Sequence, residues 1–384
     1  MSPQSKREYL LSIWLRYQKA SRQEKTKILD ELCATCHYNR KYAIRRLLSL
    51  KKPKKLRTRK RSGPKSKYRI PVLMDCLKQI WITASLPCGK RLKAILPVWL
   101  GSYQTEYGIL PPDVEQKLLK ISAATIDRIL KPIRRLYRGK GRSATKPGLL
   151  FKHHIPIQTN QWNEFRPGFV ETDTVMHCAS SLLGLYAVTT NTVDIATGWT
   201  EQRATYGKGH REIAAQIKDM EHSLPFPILG FDCDNGNELI NTCLMRYFLH
   251  REIPVQYTRS RPYHKNDNAH VEGKNWTHIR QWLGYRRFEN PKIVQLLNDL
   301  YKNDWRFFQN FFLPSVKLQT KERIGSKIIK KHDDPKSPYQ RILESKSIPE
   351  KTKCLLKEHF KILNPFKLRK TIDEKIAKIH RLAQ

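Results

Sequence analysis

The sequence predicts a multidomain chain: all-α helix-turn-helix modules first, then an α/β domain on a mixed sheet, then a helical C-terminal tail. Three observations predict it. Apolar residues recur at helical spacing through most of residues 7–136. Between 168 and 258, short β-branched runs alternate with amphipathic ones. Basic stretches bearing Pro and Gly, without such periodicity, separate the folded regions. With 384 residues, 39% of them hydrophobic and 10% aromatic, the chain can bury two or three cores. The expected segments are 1–50 (helical), 51–67 (basic arm), 68–136 (helical), 137–160 (basic linker), 161–313 (α/β core) and 314–384 (basic extension).

In the first segment Leu10, Leu11, Trp14 and Tyr17 share one face of a helix, and Ile28, Leu29, Leu32 and Cys36 one face of a second. Asn39 is placed to cap a third, Arg40–Leu50. Its stripe of Ala43, Leu47 and Leu48 is flanked by Arg40, Lys41, Arg45 and Arg46. A basic last helix of three suits insertion into a DNA major groove; the competing reading is a bundle with a solvated basic face. Cys33-Ala-Thr-Cys36-His37 has the spacing of a haem attachment site. With no export signal and no second ligand pair, these cysteines are expected to pack inside the bundle.

Residues 51–67, KKPKKLRTRKRSGPKSK, hold ten basic side chains and no acid. Lys51, Lys52, Lys54, Lys55, Arg57, Arg59, Lys60 and Arg61 read as an extended arm that follows phosphates or enters a minor groove. Beyond it, Val72, Leu73, Cys76, Leu77 and Ile80 predict one helix. Leu92, Ile95, Leu96 and Trp99 predict another, bent near Pro97. A short helix over 111–121 precedes a last one capped by Ser122. The polar side of that last helix carries Arg128, Lys131, Arg134 and Arg135, as a second recognition helix would; the alternative is a packing or oligomerisation domain.

Net charge is +39, with +27 in residues 1–150 and +12 in the remainder. That excess implies a polyanionic partner, double-stranded DNA before RNA. A membrane partner is disfavoured, because no basic amphipathic anchor and no apolar run of ~18 residues is present. The start carries no secretory signal and the eight cysteines are scattered, so the expected location is cytoplasmic and nucleoid-associated.

The α/β segment is predicted to place strands at Gly168–Met176, Leu185–Val193, Trp199–Ala204, Pro227–Asp234 and Val255–Thr258. Helices are predicted at Gly207–Leu224, at Leu239–His250 and from near Asp267. An aromatic-rich helix over Lys292–Phe312 is expected to cover the sheet. Residues 314–343 are expected to be basic and irregular, and 345–384 helical along Ile372, Ile376, Ile379 and Leu382.

Within that order Asp173 would project from a central strand, Asp234 would end its neighbour, and Glu272 would sit early in a helix crossing the strand ends. Sixty residues separate the first two and 37 the second and third. Carboxylates so placed suit a pair of hard divalent cations. The motifs ETDTVMH, DNGNE and RPYHKNDNAHVEGKNW occur in order. Over about residues 160–343 the chain resembles bacterial insertion-sequence DDE transposases, whose catalytic core is retroviral-integrase-like with a ribonuclease-H fold. The resemblance implies that Asp173, Asp234 and Glu272 hold two Mg2+ or Mn2+ ions. It implies nicking at element ends followed by strand transfer into target DNA. It also implies a homo-oligomer on the terminal inverted repeats, with Arg259, Arg261, His264, Lys265 and Lys274 clamping phosphates. Glu171, Asp232, Asp194, Glu238 and Asp267 are the rival acids. His177 would share the face of Asp173, there to orient a carboxylate, contact DNA or simply pack. The rival functions are an inactive, domesticated DNA-binding regulator and a structural RNA-binding protein.

Overall fold

Three capped helices open the chain: α1 Pro3–Lys19, α2 Arg22–Cys36 and α3 Arg40–Ser49. The structure, a computed structural model, describes residues 1–50, 67–137, 165–234, 236–260, 269–324 and 326–383. It divides into two units, 1–66 and 67–384. In the first unit Ser2, Ser21 and Asn39 accept first-turn amide hydrogens, and Ser21 and Glu24 cap one another reciprocally. His37, at φ 53°, turns the chain out of α2. The core is Leu10, Ile13, Ile28, Leu29, Leu32, Cys36, Ala43 and Leu47. Ile13 replaces the expected Leu11, which is exposed, as is Leu48. A helix this short buries only a narrow stripe, and Leu11 lies about 100° round from Leu10. Cys36 is buried and Cys33 half-buried, both as free thiols, which is the packing role expected of them.

The second unit begins with α4 Pro71–Thr83, α5 Gly89–Tyr107, α6 Pro112–Lys120 and α7 Ala123–Arg134. Then come β1 Phe169–Met176, β2 Ala187–Asp194, β3 Thr200–Tyr206, α8 His210–Ser223, β4 Gly230–Cys233, α9 Thr242–Leu249 and β5 Gln256–Arg259. The sheet order is β3-β2-β1-β4-β5. β2 runs antiparallel to both neighbours, while β1, β4 and β5 are parallel. The first strand is therefore central, as predicted. This mixed sheet is compatible with the ribonuclease-H-like core that the motifs imply.

One sheet face packs through Val170 and Phe231 on Ile213 and Ile217 of α8 and Phe248 of α9. The other face presents Val175, Ala187 and Ala204 to a second core. After α10 Ala269–Lys274, that core takes in Ile279, Leu283 of α11 Gln281–Leu283, and α12 Lys292–Leu300. It runs on without a break through α4–α7, so residues 71–134 share one interior with the α/β segment.

A buried ionic cluster joins these layers. Glu201 of β3 accepts from Trp199 Nε1 at 3.0 Å and pairs with Arg203 at 3.3 Å and Arg306 at 3.1 Å. Arg203 also reaches Asp219 of α8.

The C-terminal third corrects two expectations. The helix predicted over Lys292–Phe312 is α12 followed by π-helical turns at Tyr301–Trp305 and Phe308–Phe312. Residues 314–343 are ordered as a hairpin, β6 Leu318–Ile324 and β7 Lys327–His332, then α13 Pro338–Glu344. β7 is exposed at every position, so no burial alternation marks it in the sequence. The tail is helical as expected, split by Asn364-Pro365 into α14 Glu350–Ile362 and α15 Pro365–Leu382. No helix among the described residues is long and apolar enough to cross a membrane.

Candidate active site

The parallel pairing of β1 and β4 ends at Thr172 opposite Cys233. Asp173 and Asp234 are the next residues on each chain, so two carboxylates emerge side by side beyond the carboxyl end of β4. Burial pushes the Asp173 acid well above the usual carboxylate range, and the charge of Asp234 adds to it. The Thr174 amide at 2.7 Å and Asn275 Nδ2 at 2.6 Å pull the other way. Asp234 is raised too, by burial first, while the Gly236 amide at 2.9 Å opposes; Glu238 then raises it and Lys208 lowers it.

Glu272 is exposed in the first turn of α10, close enough to Asp173 to raise it further. Two hydrogen-bonded anchors fix that helix on the sheet. Glu171, buried two residues before Asp173 on the same strand face, accepts the amide hydrogens of His270 and Val271, each at 3.0 Å. These amides belong to the first turn, whose N–H groups have no partner within the helix. Burial pushes the Glu171 acid up to about 8 despite those bonds, with Asp232 and Glu272 adding repulsion.

The second anchor is Asn275. It donates to Asp173 and accepts from Asn191 of β2 at 2.7 Å; Asn191 accepts from Gln202 of β3 at 3.0 Å, and Gln202 exchanges bonds with Gln309. A row of amide side chains thus crosses three strands and ends on the Asp173 carboxylate, each bond polarising the next. From Asn275 to Arg280 the helix is π-helical.

The donor set fits hard divalent cations in kind. Asp173 and Asp234 offer anionic oxygens that burial and mutual repulsion disfavour, and a cation between them would relieve both costs. Among the described residues, no three His, Cys, Asp or Glu side chains close into a ready-made ligand set. Glu272 stands at the edge of the pair.

The rival acids have other uses. Asp232 accepts the Thr258 hydroxyl at 2.6 Å. Asp194 holds the β2–β3 turn through the Gly168 and Thr197 amides. Glu238 pairs with Lys208 and accepts the Thr174 hydroxyl, both at 2.8 Å. Asp267 lies outside the described residues. Asn275 and Lys208 were not foreseen as site residues; position three after Glu272 is the signal that could have found Asn275.

His177 packs. It is buried, stacked on Phe288 at 4.8 Å and bonded to Thr189 at 2.8 Å. Burial pushes its imidazole down to about 3, with Arg280 adding. The unfolded chain, titrating near 6.5, takes the proton first. Stability is therefore complete above that value and is lost as pH falls through the interval toward about 3. Acidification to pH 5 is expected to cost about 2 kcal/mol at this residue. Urea midpoints at pH 7 and 5 check it: His177→Gln should show the smaller fall.

Of the expected DNA contacts, Arg40, Lys41, Arg45 and Arg46 are exposed on α3, with Arg40 paired to Asp30 and Arg45 over the Tyr42 ring. On α7, Arg128 and Lys131 are exposed. Arg134 is held by Asp127 at 2.5 Å and the Pro87 carbonyl at 3.2 Å, over Trp81, and so serves helix packing. Arg259 is buried at the end of β5. Lys274 is half-buried; burial, with Arg91 and Arg341, pushes its ammonium down to about 7. The arm residues Lys51–Arg61, the Arg135 side chain, Arg261, His264 and Lys265 lie outside the described residues.

Fold and site together define an α/β protein with paired half-buried carboxylates beyond its parallel strand ends. The chain belongs to one family with the uncharacterized protein y4rM of Sinorhizobium fredii. The two are 33% identical over 347 residues, which is 89% of this chain and 96% of that protein. No protein-family profile matches the chain. Among solved structures, the catalytic core domain of BIV integrase aligns with 46% of this chain and 94% of its own, at 15% identity and TM-score 0.27. That likeness is too slight to add to the sheet topology.

Proposed function

We propose that this protein is a DNA transposase of the DDE type, cutting at insertion-sequence ends and joining them to target DNA. The observation that carries the reading is the Asp173–Asp234 pair, side by side and half-buried, with Glu272 at its edge. Asp173 and Asp234 would hold Mg2+ or Mn2+, with Glu272 completing one ion. Bound there, such ions make a water or a 3′-hydroxyl nucleophilic and stabilise the leaving oxygen. The chain's own residues do the rest. Glu171 and Asn275 keep the helix and the Asp173 rotamer in place, and Lys208 offsets the charge on Asp234. Nicking and strand transfer are both in-line displacements at phosphorus, so one site serves both. Two ends must be cut and joined together, which calls for a multimer on DNA.

Incubation of the full chain with Mg2+ and a duplex of the DNA flanking its coding region tests the reading. Nicks at the end of an inverted repeat support it. Specific binding without cleavage, in Mg2+ and in Mn2+, would make the protein a regulator instead. The arm gives a separate expectation. Replacing Lys51, Lys52, Lys54, Lys55, Arg57, Arg59, Lys60 and Arg61 by Ala should flatten the salt dependence of duplex affinity by roughly 0.9 units of log–log slope per lost phosphate contact. Filter binding across a salt series measures it, and an unchanged slope would mean the arm touches no phosphate.

A further inference from the structure

Behind the helix that carries Glu272 lies a second site, of opposite charge. A cavity of about 430 Å³ opens between the α4–α5 turn, α10 and the base of the β6–β7 hairpin. Arg91, Lys274 and Lys317 reach it, with His270, His278 and His332 beside them. No Asp or Glu is among its described walls, and Asp173, Asp234 and Glu272 do not line it. Lys317 is engaged by the Ala196 carbonyl at 2.7 Å. Lys274 Nζ lies 3.2 Å from His278 Nε2, and His278 Nδ1 lies 2.7 Å from the Thr277 hydroxyl, so this polar row is held in place. Arg91 is half-buried and, among the described residues, makes no ion pair or side-chain hydrogen bond, although it lies within electrostatic reach of Lys274. Arg341, within the same reach of Lys274, is already bound to Asp333 at 2.5 Å.

Cations gathered on an acid-free wall repel one another, and an anion among them relieves the repulsion. A guanidinium fork opposite an ammonium, with imidazoles and a hydroxyl alongside, is phosphate chemistry. We propose that this cavity is a phosphate-binding site with Arg91 and Lys274 as its main ligands, and that the phosphate belongs to a nucleic-acid strand. The strand as source rests on the function proposed above; the phosphate chemistry does not.

Calorimetry on the metal-free full chain in EDTA, with inorganic pyrophosphate as probe, tests the site. Wild type and Lys361→Ala, an exposed control, should bind alike. Arg91→Ala and Lys274→Met should each weaken binding by about tenfold or more. Arg91→Lys, which keeps the charge and loses the fork, should fall between and covers the case in which the other two fail to fold. Absence of pyrophosphate binding in wild type, or equal binding by Arg91→Ala, Arg91→Lys and wild type, overturns the site. Competition of pyrophosphate with a short duplex, together with weaker duplex binding by Arg91→Ala, supports the strand as source. Loss of pyrophosphate binding with duplex binding unchanged overturns that source and leaves a free phosphate compound. Asp173→Asn, assayed alongside, should keep pyrophosphate binding whether or not the protein cleaves DNA, so the two readings fail separately.

Discussion

Asp173→Asn, Asp234→Asn and Glu272→Gln should each reduce metal-dependent strand cleavage by at least about a thousandfold, near 4 kcal/mol in barrier height, while duplex affinity stays within a few fold. Each substitution keeps side-chain shape and removes the anionic oxygen that a divalent cation requires. Asn at 173 keeps one acceptor oxygen, which can serve Asn275, and gives up the bond from the Thr174 amide that the other oxygen accepts; Glu171 still anchors the α10 helix. The same substitution should raise metal-free stability. Asp173 is held above its usual range by burial first and by its acidic neighbours next, and the neutral amide escapes both penalties. Lost cleavage with a raised melting temperature would mark a carboxylate retained for chemistry at the expense of the fold. Undiminished cleavage in any one variant removes that residue from the site.

The second large effect is on folding. Glu201→Ala is expected to cost about 3–5 kcal/mol, measured by urea denaturation, because Arg203 and Arg306 lose their shared carboxylate inside the protein. Glu201 is fully buried and Arg203 nearly so, and burial raises the Glu201 acid in spite of both arginines. Glu201→Gln, which can still accept from Trp199, should cost less. Pairing Glu201→Ala with Arg203→Met should recover part of the loss, as coupled neighbours do. Additive losses would show that the residues act separately.

These two sites differ in how far they can be read from sequence. The placement of Asp173 beside Asp234 is legible because strand periodicity orders β1 and β4, whereas the choice of these two and Glu272 over their rivals rests on the family resemblance. Glu171 and Asp173 share a face by strand alternation, so periodicity alone could not say which of them holds the α10 amides; only the position of the helix separates them. The Glu201 cluster is silent in sequence, since Thr-Glu-Gln-Arg reads as a polar edge until α8 and the segment after α12 close over it. The β6–β7 hairpin is silent for the opposite reason: it buries nothing, so it leaves no alternation. Residues 71–134 show their helices plainly, but helical stripes do not say which neighbour they face, and here Trp99 packs on Phe308 and Phe312 after α12 and on Phe366 of α15, within the core that the sheet shares.

The π-helical stretch after Glu272 fits one residue more into its turns than an α-helix would. Removing one residue between Asn275 and Ile279 would let the coil relax to ordinary pitch and leave Glu272 on nearly its present bearing, since that residue is the one the wider turns absorb. The segment therefore works as slack in the helix, whereas a single-codon deletion at Gly273, where the pitch is ordinary, would turn Glu272 by about 100° against Asn275.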